Sequence, residues 1–209
     1  MTVCLEKRGS RPSLRCIILL NRGRGYNALV ITEGSVVIRC EKAEDQSAIR
    51  AINESAFGRR DEANLIDELR KENAVILSLV AETERQVVGH ILFSRMWIDN
   101  PGVSLPAVAL APMAVVPVYQ RQGLGGMLIL NGIRLLRDRG ERIVMVLGHP
   151  GYYSRFGFST EQARGLRSPF PPDAFMAAEL TSNTPLGICG DVRYPIAFGC
   201  DSLSKLPVA

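Results

Sequence analysis

Three glycines in four residues, Gly123, Gly125 and Gly126, separate a proline-flanked apolar run from a helical pattern in PMAVVPVYQRQGLGGMLI, residues 112 to 129. Glycine inside a helix costs roughly 1 kcal/mol against alanine, so these positions serve something other than helix stability. They suggest a backbone that must come close to a ligand. A strand running into a glycine-rich turn that opens a helix presents unpaired N–H groups at the positive end of a helix dipole, which makes an anion site. The helix that follows is expected from Gly123 to about Arg139, with Leu124, Met127, Leu128, Ile129, Ile133, Leu135 and Leu136 buried and Gly140 ending it.

The rest of the chain reads as alternating short elements. SVVIR (35 to 39) is a strand, and EDQSAIRAINESAFG places Ala48, Ile49, Ile52, Ala56 and Phe57 at helical spacing with Gly58 as its stop. EANLIDELRKEN is a second helix with Leu65, Ile66 and Leu69 as its stripe. AVILSLVAE and QVVGHILFSRMWI, separated by TERQ, form a hairpin. AVALAPMAVVP is a further strand whose Pro112 cannot donate a ladder hydrogen bond, so an edge or a bulge is required there. RIVMVLG (142 to 148) is apolar throughout, as in a sheet centre, PGYYSRFGF holds a short helix, and FMAAEL and DVRYPIAF are two late extended pieces. No internal repeat or interdomain linker interrupts this order, and one α/β domain over residues 35 to 200 is expected. Residues 1 to 34 form a basic N-terminal extension and 201 to 209 a C-terminal tail.

Which anion the glycine turn serves narrows by subtraction. A nucleotide P-loop needs Lys and Ser or Thr after its last glycine, but Met127 and Leu128 stand there; a dinucleotide fingerprint beginning at Gly123 needs a small residue where Leu128 stands. What remains, Gln120 to Gly125, fits [QR]-x-x-G-x-[GA]. Together with VLGHPGYYSRFGF and FMAAEL…GDVRYPIAF, the chain from about Val36 to Phe198 resembles the GNAT superfamily of acyl-CoA-dependent N-acetyltransferases, and within it the bacterial YhbS-like subgroup.

That resemblance implies an α+β fold with a central, mixed, twisted sheet of about seven strands and about four flanking helices. A bulged, splayed strand pair would open a V-shaped cleft for acetyl-CoA, the cosubstrate. Backbone at Met113, Ala114 and Val115 would meet the pantetheine arm and the thioester carbonyl. The amides of Arg121, Gln122, Gly123, Leu124, Gly125 and Gly126 would hold the pyrophosphate, with the Arg121 side chain as an added cation. Tyr153, four residues before Gly157, takes the place of the general acid that protonates the departing thiolate; its neighbour Tyr152 is the alternative, and two adjacent helical residues cannot readily face one sulfur. The activity implied is acetyl transfer to a primary amine of a small molecule or peptide, by direct attack in a ternary complex. A non-catalytic acyl-CoA-binding regulatory module would use the same motif.

The residues around that motif leave the general base open. Positions 107 to 116 contain no acid, so candidates come from elsewhere: Glu54 or Asp61 from the early helices, His149 after the central strand, or a water relay. His90 shares a strand with Val88 and Leu92 and reads as a satisfied core histidine facing the same side as both. Cys189 and Cys200 lack a base nearby in sequence and give little support to a covalent acyl-enzyme. Acceptor-side residues are sought in 53 to 73 and 164 to 190.

Charge and cysteine usage set the outer limits. The net charge of +4 comes from the first 35 residues, with six cations against two acids; the remaining 19 cations and 19 anions balance, which does not indicate a nucleic-acid face. Five cysteines without CxxC or metal-ligand spacing fit a reduced, cytoplasmic chain with no metal. The run CIILL (16 to 20) is too short to span a bilayer, so no membrane association is expected. Edge strands near the C terminus offer pairing between protomers, as a homodimer.

Overall fold

Local sequence decides most of the elements. In the computed structural model, which describes residues 29–31, 36–181 and 188–200, β1 (Leu29–Ile31) and β2 (Val36–Cys40) precede α1 (Gln46–Phe57) and α2 (Asp61–Lys71). Gly58 ends α1 in the left-handed conformation, φ 69°, and its N–H returns to the Glu54 carbonyl. Its absent Cβ makes that stop inexpensive. The hairpin of β3 (Val75–Thr83) and β4 (Gln86–Asn100) turns on Glu84 and Arg85, both at positive φ as two-residue hairpin turns require. β5 (Val103–Val115) leads through a 3-10 turn at Pro117–Tyr119 into α3 (Leu124–Asp138). There follow β6 (Ile143–Leu147), α4 (Pro150–Tyr153), and the short strands β7 (Leu166–Arg167), β8 (Phe175–Glu179) and β9 (Gly190–Arg193).

The sheet is mixed, in the order β1-β2-β3-β4-β5-β6-β8, with β9 paired to β4 and β7 to β9. The seven-strand path matches the expected size; β7 and β9 add two short strands beside it. Among the described residues, only β5 with β6 and β7 with β9 run parallel. β1 lies inside the segment set apart as an extension, yet it pairs antiparallel with β2, Val30 opposite Val37, and forms the sheet edge. The rest of that extension and the C-terminal tail lie outside the described residues. DVRYPIAF is extended only through Arg193, because a 3-10 turn occupies Ile196–Phe198.

Two register faults shape the faces. Leu92 of β4 stands opposite both Ala111 and Pro112 of β5, since Ile91 pairs with Met113 and Phe93 with Leu110. This is the bulge the proline demanded. A second fault places Val88 between the Gly89–Ala81 and Val87–Glu82 pairs. The extra residue inverts the alternation, so Val88 joins the core beneath α3 with Ile91, Phe93, Leu128 and Leu136, whereas Leu92 packs with Ile49, Ile66 and Leu69 of α1 and α2. The expectation that His90 and Val88 share a face is therefore corrected: His90 contacts Asn53 of α1.

β5 and β6 pair only at Val108–Val144 and Ala109–Met145. Beyond Ala109, β5 continues through its bulge to Val115 and β6 to Leu147 without a ladder between them, and the two strands part as a V.

Candidate active site

At the open end of the V, β5 turns into α3 through a strained loop. Gly123 caps the helix at φ 89°, and Arg121, although not glycine, sits at φ 60°. Gln120 donates through Nε2 to the Val115 carbonyl at 2.9 Å, and Gln122 through Nε2 to Val118 O at 2.9 Å. The first bond explains why the motif begins with a long amide: it ties the last carbonyl of β5 to the loop. A groove of about 200 Å³ opens here, lined by Met113, Val115, Tyr119, Gln120, Arg121, Leu124, Gly125 and Tyr152. It unites five of the residues chosen from sequence. Ala114 is instead buried and paired with His90, while Gln122, Gly123 and Gly126 are not among the residues lining this groove.

Two of the glycines have a role that sequence did not disclose. A Cβ on Gly125 would stand 2.6 Å from the Tyr152 hydroxyl, and one on Gly126 would stand 3.3 Å from the Phe156 ring. Their smoothness admits the aromatic side chains following β6 as well as leaving the main chain approachable. Tyr119, Gln120 and Tyr152 were missed as lining residues; Gln120 was marked by its motif position, but nothing local points Tyr152 toward Gly125.

The adjacent tyrosines diverge, as helical geometry requires. Their rings meet edge to face with centroids 5.1 Å apart. Tyr153 lies against Gly148 at the end of β6, where an added Cβ would fall 2.3 Å from its ring, and its other edge meets Phe158 at 5.8 Å. Burial pushes its hydroxyl up to about 12, and also raises that of Tyr152. Both phenols therefore stay protonated at neutral pH and can donate.

His90 is wholly buried in a directional chain of hydrogen bonds. Arg70 donates to Glu41 Oε1 at 2.7 Å, and Ser78 Oγ donates to Glu41 Oε2. With its proton committed, Ser78 Oγ accepts from His90 Nε2 at 3.0 Å, which leaves Nδ1 to accept from Asn53 Nδ2 at 3.4 Å. Burial, assisted by the Arg70 charge, pushes His90 down to about 3. The unfolded chain thus binds a proton between about pH 6.5 and 3 that the folded chain refuses, so stability is retained above this window and falls as pH drops through it. Urea unfolding is expected to show a loss of about 2 kcal/mol between pH 7.5 and 5 from this residue, and His90→Gln should remove that slope. An equal slope in the variant would assign the effect elsewhere.

The other candidates lie apart from the groove. Glu54 is held by Arg50 at 3.1 Å and Arg60 at 3.8 Å, and Asp61 is exposed beside Arg59 at 3.7 Å. His149 is exposed, and its carbonyl accepts from the N–H groups of Tyr152 and Tyr153 as α4 begins. Cys189 sits 4.0 Å from Asn100 at the far end of β4. Among the described residues no cluster of His, Cys, Asp and Glu can hold a metal, and no helix is long and apolar enough to cross a membrane. A larger cleft of about 450 Å³ occupies the late segment, between Thr160–Ser168 and Phe170–Phe175. Phe175 pairs with Leu147 at the free end of β6, which sets this cleft beside the V.

Comparison with known proteins agrees with this geometry. A family model described as the acetyltransferase (GNAT) domain matches residues 37–160. The Escherichia coli K12 uncharacterized N-acetyltransferase YjhQ is 40% identical over 157 residues, covering 71% of this chain and 86% of YjhQ. YhbS of the same organism, also an uncharacterized N-acetyltransferase, is 36% identical over 162 residues, 76% of this chain and 96% of its own. The crystal structure of E. coli YhbS in complex with CoA superposes with a TM-score of 0.73 at 31% identity, covering 93% of this chain and 98% of that one. A Brucella melitensis GNAT family acetyltransferase in complex with acetyl-CoA gives 0.66 at 36%, over 79% and 99%.

Proposed function

The chain belongs to the GNAT acetyltransferase family, and from that premise we propose that it transfers an acetyl group from acetyl-CoA to a primary amine by direct attack in a ternary complex. The observation that carries this reading is the parting of β5 from β6 after Ala109 and Met145, with the α3 N-terminus at its mouth. Backbone at Met113 and Val115 takes the pantetheine arm as an added strand, and the amides from Arg121 to Gly126 take the pyrophosphate. An N–H of β5 beyond the bulge, at Ala114 or Val115, polarises the thioester carbonyl while the amine attacks its carbon. As the tetrahedral intermediate collapses, the C–S bond breaks and Tyr153 donates a proton to the sulfur. The amine loses its own proton to water, because β5 supplies no carboxylate between 107 and 116.

The position of Tyr153 against Gly148 supports its assignment. Gly148 follows β6, the wall of the V opposite β5, whereas Tyr152 reaches Gly125 at the phosphate end.

Calorimetric titration with acetyl-CoA, CoA and ATP tests the reading. Saturable binding of both CoA ligands without an ATP response is expected, and acetyl-CoA at about 100 times its Kd should stabilise the fold by roughly 2.7 kcal/mol. Absence of CoA binding would leave the glycine turn as a structural connection and remove the proposal.

A further inference from the structure

We propose that Arg155 recognises the 3′-phosphate of coenzyme A and sets the preference for CoA over 3′-dephospho-CoA, an inference that rests on the groove being a CoA site. The guanidinium carbon of Arg155 lies 4.6 Å from the centre of the Tyr152 ring and 5.4 Å from that of Phe156. These two rings are the ones that close on Gly125 and Gly126. Arg155 therefore stands one aromatic layer from Gly125 and Gly126, on the α4 side.

Its bonding leaves the charge available. Nε donates to the Tyr152 carbonyl at 3.2 Å, and no carboxylate within the described residues pairs with it. Arg39, Arg50, Arg70, Arg95, Arg167 and Arg193 are all committed to carboxylates. Contact with two rings restrains the side chain, which is exposed and makes no hydrogen bond through Nη among the described residues, so less rotamer freedom is lost when an anion binds.

The ligand's charge distribution supplies the complement. The pyrophosphate has the loop amides and Arg121, but a phosphomonoester carries about −1.5 to −2 charge at neutral pH and needs a cation of its own outside that cradle. A planar guanidinium matches phosphate oxygens in bidentate fashion.

The test is a cycle of two proteins and two ligands: wild type and Arg155→Gln, each titrated calorimetrically with CoA and with 3′-dephospho-CoA. Wild type should bind CoA roughly tenfold or more tightly than the dephospho form, the increment of one charge-assisted contact. In Arg155→Gln that preference should vanish through weaker CoA binding, with dephospho-CoA affinity unchanged. Equal weakening of both ligands would place Arg155 on the pyrophosphate or the loop and overturn the assignment, as would an undiminished preference in the variant. If wild type binds neither ligand, the CoA reading fails first and takes this proposal with it, an outcome separate from the other two.

Discussion

Tyr153→Phe is expected to lower acetyl transfer by roughly 10²- to 10⁴-fold, the range that a positioned general acid contributes, while acetyl-CoA binds as before. The ring is held by Gly148 and Phe158, contacts that phenylalanine preserves, so only the hydroxyl is removed. Burial holds that hydroxyl near 12, well above an ordinary thiol near 8.5. In water a proton would move uphill from such a phenol to a thiolate. On the proposed mechanism the departing sulfur shares this desolvated cleft, which would raise its proton affinity for the same reason. Tyr153 should also add no alkaline limb to the pH–rate profile below about pH 11, since it remains protonated there. Turnover is read as free CoA thiol released with an amine acceptor found by screening. Tyr152→Phe is the control: its hydroxyl lies against Gly125, the proposed phosphate end, so cofactor affinity should change more than kcat. Full activity in Tyr153→Phe with loss in Tyr152→Phe would transfer the acid role. Activity in neither parent nor variants across the acceptor screen, with CoA still bound, would favour a regulatory acyl-CoA-binding module.

The largest expected effect on stability is at Gly132→Val. This residue lies mid-helix in α3, where glycine is unfavourable by about 1 kcal/mol, and a Cβ there would sit 2.3 and 2.4 Å from Cε2 and Cζ of Phe93. Phe93 is fully buried in the core beneath α3. Overpacking of this kind costs about 1 to 3 kcal/mol for a few atoms, and valine adds further carbons with a restricted χ1. A loss of about 3 kcal/mol or more is expected from urea unfolding, equivalent to a melting shift on the order of 6 to 12 °C for a domain of this size. Gly132→Ala should show a smaller loss, because improved helix propensity offsets part of the clash. An unchanged urea midpoint in the valine variant would mean that Phe93 can rotate away without penalty.

That glycine also marks a boundary in what the chain discloses. Read alone, the spacing through α3 identifies a buried helix and its Gly140 stop, but Gly132 carries no local sign that an aromatic ring from β4 needs its missing Cβ. From sequence, Gly125 and Gly126 suggest a backbone that comes close to a ligand, and both lie in the first turn of α3. That they also receive Tyr152 and Phe156 depends on where α4 lands after β6. Val88 likewise follows its strand's alternation until a bulge, invisible in composition, turns it to the other face.

Sequence by itself determined the elements whose causes lie within a few residues: α1 with its glycine cap, the β3–β4 hairpin, the Pro112 bulge, and the turn that opens α3. Periodicity, φ restriction and missing donors act locally, so they are legible in order along the chain. Only the tertiary structure decided that β1 closes the sheet edge, that Gln120 ties down the end of β5, that Tyr152 reaches Gly125 while Tyr153 packs on Gly148, and that Arg155 lies over the Tyr152 and Phe156 rings. Those facts depend on contacts between residues far apart in sequence, and on which side of a helix a single 100° step places each side chain.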